Sequence, residues 1–115
     1  MRKILFLIVL GVILSSCATT KPLYNWKGYD EAVYDYTKTN TTKSTEQLEN
    51  VYQQLIANSS LGSRNIPAPG ICADYGYLLI KEGKTDEGIE LIKKEISLYP
   101  ESKPFLSQIL KRFEK

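Results

Sequence analysis

Histidine is absent from the 115 residues, which removes both the commonest general base and the commonest metal ligand. Cysteine is scarce: Cys17 and Cys72 are the only two, too few for a thiolate metal site. No glycine-rich loop follows a strand-like run and no nucleophile elbow is present, so neither phosphate-cradling nor acyl-transfer chemistry has a carrier. The carboxylates of Asp74, Glu82 and Glu95 are scattered along helical stretches and read as solvated or structural. These gaps predict no enzyme, no cofactor, no metal site and no small-molecule substrate. Long apolar runs are also missing, except at the very start.

There Met1, Arg2 and Lys3 precede an eleven-residue apolar run, Ile4 to Leu14, as in a secretory signal peptide. A membrane-spanning helix needs about 17 to 25 residues, so the run is an address rather than an anchor. It ends Leu14-Ser15-Ser16-Cys17, which resembles a bacterial lipobox. That resemblance implies cleavage after Ser16, diacylglycerol on the Cys17 sulfur and fatty chains, palmitate among them, holding the protein at a membrane. The competing reading is an ordinary signal peptide with an incidental Cys17, or an uncleaved hydrophobic tail. Ala18 stands where aspartate resembles an inner-membrane retention signal, which points to the outer membrane, periplasmic face. Against this bacterial background the sequon Asn40-Thr41-Thr42 is accidental.

Without residues 1–16 the chain keeps 99 residues and loses Arg2 and Lys3, leaving 13 basic against 13 acidic side chains. A formally neutral domain outside the cytoplasm is not a nucleic-acid binder. Ninety-nine residues make one small domain that buries roughly 65% of the unfolded chain's surface. With Cys17 acylated, Cys72 has no disulfide partner; its apolar face makes it a buried core thiol, the alternative being a reactive one.

Helical periodicity organises the rest. Residues 17–28 are the lipidated cysteine, a tether and an aromatic lead-in, and 29–115 the helical domain. Tyr29, Ala32, Val33 and Tyr36 give a short helix to about Thr37, and TKTNTTK (37–43) reads as a loop. Tyr24, Trp26, Tyr29 and Tyr34 form either a partner-binding or headgroup-level aromatic edge, or a plug at the end of the core. Ser44 is placed as a cap, with Gln47 in capping-box position, for a helix bearing Leu48, Val51, Tyr52, Leu55 and Ile56. Asn58 to Asn65 is turn-rich, and Ile66-Pro67-Ala68-Pro69-Gly70 is a stiff lead into the next helix.

Pro69 to Ser102 then reads as a helical hairpin. Cys72, Tyr75, Gly76 and Leu79 share one face; Gly88, Ile89, Ile92 and Ile96 share the facing one, while Glu87, Glu90, Lys93, Lys94 and Glu95 mostly point to water. Gly83 ends the first helix, Thr85 caps the second and Pro100 stops it. A last helix starts at Ser102 with Pro104 in its first turn, its apolar side formed by Phe105, Leu106, Ile109, Leu110 and Phe113.

The spacing of Gly76, Leu79, Gly83, Gly88, Ile92, Leu98 and Pro100 resembles one tetratricopeptide repeat. One repeat cannot bury its own face, so flanking helices must cover it. The fold expected is an all-α, TPR-like bundle of about five helices after a cleaved lipoprotein signal peptide. In that family the first helix lines the concave surface, which carries over to Ala73, Tyr77 and Lys81 as a partner-binding groove.

Pro22-Leu23-Tyr24-Asn25-Trp26 with Tyr29 and Tyr34, Pro69-Gly70, Ala73 to Leu79, and Tyr99-Pro100-Glu101-Ser102 together resemble the bacterial lipoproteins grouped as domain of unknown function 4810. The resemblance covers essentially the whole chain after the signal. It implies small outer-membrane lipoproteins, often encoded beside a lipoprotein similar to the curli secretion channel and a second small lipoprotein. Two functions follow as expectations: an adaptor that presents its groove to an envelope lipoprotein or channel, or a pilotin-like chaperone that stabilises an outer-membrane channel. Channel abundance after deletion of this protein separates them.

Overall fold

The computed structural model describes residues 1–15 and 21–114 and is all-α, with no strand among the described residues. Helix α1 (Arg2–Ser15) is the apolar run, and no described helix is long and apolar enough to cross a membrane. Cys17 and Ala18 lie outside the described residues.

Gly28, at φ 81, turns the chain into α2 (Tyr29–Thr39), whose first turn carries Asp30 and Glu31 and whose last carries Lys38, each complementing the helix dipole. The helix outlasts the expected end at Thr37. The Thr37 and Thr39 hydroxyls donate back to the Val33 and Asp35 carbonyls, both at 2.8 Å, so the polar threonines are absorbed into helix. Left-handed Asn40, φ 46, stops it instead. Helix α3 (Thr42–Ala57) is capped one turn earlier than the sequence suggests. Thr41 is the N-cap, its Oγ1 accepting from the Ser44 amide at 3.1 Å while Ser44 Oγ accepts from the Thr41 amide at 2.9 Å. Ser44 completes the box that Gln47 was expected to complete.

A short 3-10 turn (Ser59–Leu61) and the proline-rich stretch lead to α4 (Ile71–Lys81). Gly83, φ 87, makes the turn to α5 (Thr85–Leu98). Thr85 is the first helical residue rather than the cap; Lys84 occupies that position without a side-chain bond, and Asp86 and Glu87 satisfy the dipole. A second 3-10 turn (Pro100–Ser102) starts α6 (Lys103–Phe113). Ser102 precedes it but does not cap it: its hydroxyl donates to the Tyr99 carbonyl at 2.6 Å.

Two cores meet at the α4–α5 hairpin. Leu48, Tyr52 and Leu55 of α3 pack with Ala32, Ile71, Tyr75, Leu78 and Leu79 on one side; Ile89, Ile92, Leu106 and Leu110 form the other beneath α6. Full burial of a side chain such as Leu55 or Ile92 contributes about 1.5–3 kcal/mol. Where α4 crosses α5, Gly76 and Gly88 meet backbone to backbone: a Cβ on Gly76 would stand 2.6 Å from the Gly88 carbonyl oxygen, and one on Gly88 would collide with that of Gly76. No methyl group fits at either position.

Glu95 does not point to water. It is 3% exposed, and its Oε1 accepts the Gly70 amide at 2.6 Å, capping α4 from 25 residues away, while Oε2 has no partner among the described residues.

Candidate functional site

Two open grooves flank the outer face of α4. Its core stripe fixes the helix rotation, so Asp74, Tyr77 and Lys81 are left exposed, with Ala73 half-buried beside them against the core beneath α6. Tyr77 is 51% exposed. One groove runs between α4 and α6, lined by Ala73, Asp74, Tyr77, Phe105, Ile109 and Arg112. A second runs between α4 and the α2–α3 pair, lined by Tyr29, Val33, Tyr36, Asp74, Tyr77 and Lys81. Asp74 and Tyr77 line both.

The three residues carried over from the repeat resemblance do not line one groove: Ala73, half-buried, lines the first, Lys81 the second, and Tyr77 both. Lys81 Nζ donates to the Tyr36 hydroxyl at 3.2 Å and stands 5.7 Å and 5.8 Å from the Tyr36 and Tyr77 ring centres. That hydrogen bond, then the neighbouring charges, holds the ammonium above its usual pKa. Asp74 keeps access to water, yet the groove walls crowd its carboxyl and raise it above the ordinary aspartate value through desolvation. Burial first, then Asp74, pushes the Tyr29 and Tyr52 phenols up too.

Sequence reasoning missed Asp74 as a site residue and placed Phe105 on the covered side of α6; it is 69% exposed, at the rim of the first groove. Asp74 had a signal: it lies one residue after Ala73 and three before Tyr77, on the same helical face.

The expected aromatic edge is divided. Trp26 packs edge-on to Tyr29 (centroids 5.0 Å), Tyr29 leans on Tyr52 (6.2 Å) and Tyr52 stacks on Tyr75 (5.5 Å), a ladder from surface to core. Tyr24 is half-buried against the same core. Tyr34 stands apart, exposed, with Lys38 Nζ 5.5 Å from its ring centre. Cys72 is fully buried, and burial, then Glu95, pushes its thiol up to about 11, the condition of an inert core cysteine. Among the described residues no group of three or more Cys, Asp or Glu is placed to hold a metal ion.

Residues 23–109 match the family model described as Domain of unknown function (DUF4810). The chain belongs to the DUF4810 family. No curated protein and no solved structure matches it. The DUF4810 match takes in α2 to α5 entire and α6 as far as Ile109, and so includes Asp74, Tyr77, Lys81 and Phe105.

Proposed function

We propose that this DUF4810 protein is a lipid-anchored adaptor of the bacterial outer membrane, held through acylated Cys17 at the periplasmic face, which docks a segment of another envelope protein along α4. The supporting observation is Tyr77, half-exposed between two open grooves on the face that a TPR-like hairpin uses for binding. Asp74 favours a cationic partner. Its carboxylate is partly stripped of water with no cation paired to it among the described residues, so a lysine or arginine on an otherwise apolar segment would relieve it. Phe105, Ile109 and Val33 supply apolar wall for the flanking side chains.

A photo-crosslinking residue at Tyr77, used in the native membrane and read by mass spectrometry, identifies the occupant. Tyr77→Ala with Lys81→Ala, and separately Asp74→Asn, should each weaken capture about tenfold or more while helical content is unchanged. Loss of folding in these variants would assign the residues to the core, and unchanged capture would remove the groove from function.

A further inference from the structure

Residues 21–27 and 58–64 are laced together along one edge of the helical domain. Lys21 Nζ donates to the Ser60 carbonyl at 2.8 Å, the amides of Ser63 and Arg64 donate to the Pro22 and Leu23 carbonyls at 2.8 and 3.1 Å, and Asn25 Nδ2 donates to the Asn58 carbonyl at 3.2 Å. Gly62 is buried in the seam, where a Cβ would stand 2.6 Å from the Leu23 carbonyl oxygen. Three large apolar side chains of these segments face water: Leu23 (57% exposed), Leu61 (54%) and Trp26 (45%). Lys21, Lys27 and Arg64 accompany them, all exposed. No carboxylate occurs between Lys21 and Tyr29 or between Ala57 and Ala73. The ion pairs among the described residues, Lys84–Glu49 and Lys93–Glu114, lie elsewhere.

Apolar side chains set among unpaired cations suit an anionic bilayer surface, where Leu and Trp enter the headgroup zone and Lys and Arg meet phosphates. The centre of a protein interface is depleted of lysine. We infer that this edge is a membrane-facing surface that seats the domain on anionic phospholipid headgroups. The inference rests on the membrane-anchored reading above and adds an orientation to it. Lys21 follows Cys17 by four residues, a reach of roughly 14 Å at full extension, so a lipid on Cys17 would hold this edge against the bilayer.

Trp26 is the sole tryptophan, so its fluorescence reports this edge alone. The protein extracted from its own membrane is reconstituted into vesicles of phosphatidylcholine with or without phosphatidylglycerol, both carrying brominated lipid as quencher. Trp26 should be quenched in the phosphatidylglycerol vesicles and much less in phosphatidylcholine alone. The variant Lys21→Gln, Lys27→Gln, Arg64→Gln should lose quenching too, each cation contributing about fivefold to the docked-to-free ratio. Equal quenching in both lipids, or full quenching in the triple variant, overturns the inference. So does a Trp26 that brominated lipid never reaches while the protein still floats with the vesicles, a result that leaves the anchor standing and gives this edge to a protein partner. Failure to float with vesicles at all would remove the anchored reading itself. The comparison of lipids uses the unaltered protein, so it holds even if the variant fails to fold.

Discussion

Two carboxylates, Asp74 and Glu95, carry the sharpest consequences at the scale of single residues. Asp74 is raised from its ordinary 3.8 by crowding at the grooves. The folded state therefore keeps a proton that the unfolded chain has released, and stability falls as pH rises through the window from 3.8 to the raised folded value. Below that window Asp74 is neutral in both states and adds no penalty. Asp74→Asn should accordingly raise the thermal midpoint near pH 7 and leave it unchanged near pH 3, measured by circular dichroism. Glu95 differs because its Oε1 has a partner and its burial is complete. Glu95→Ala should lower stability to urea by about 1–3 kcal/mol, since the Gly70 amide loses its acceptor. Glu95→Gln keeps an acceptor there and should cost clearly less than alanine; equal losses would mean that the cap contributes nothing.

At the scale of elements, the α4–α5 hairpin is set by what is missing from its crossing. Alanine is a better helix former than glycine by about 1 kcal/mol, so on propensity alone Gly76→Ala and Gly88→Ala would stabilise. The Cβ atoms would meet the opposite helix backbone, and overpacking of this kind costs about 1–3 kcal/mol. Both variants should unfold at lower denaturant than the parent, the net loss showing that interhelical distance outweighs propensity. Periodicity put Gly76 and Gly88 on facing stripes, but the backbone contact between them depends on how the two helices pack. The faces of α3, α4 and α5 were legible for the same reason: a period of 3.6 records which side is buried. Element ends were not. Thr37 and Thr39 look like loop residues, yet they continue α2 with their hydroxyls bonded back to the Val33 and Asp35 carbonyls. Glu95 was misread because its partner, Gly70, is distant in sequence, and no local pattern announces a cap supplied by another helix.

For the whole molecule, the all-α class followed from periodicity, and so did the exposure of Tyr77 and Lys81 off the core stripe of α4. The second wall of each groove did not, because it depends on how α6 and α2 come to rest against the hairpin. Phe105 has the spacing of a core residue and stays at the rim, while Leu106, its neighbour, goes under. The grooves also have a property that neither possesses alone. Asp74 and Tyr77 are common walls, so a guest that turned the tyrosine ring in one channel would reshape the other. Two guests on opposite flanks of α4 would share a single swinging partition, and by thermodynamic reciprocity whatever one gains or loses from its neighbour's arrival, the neighbour gains or loses in equal measure.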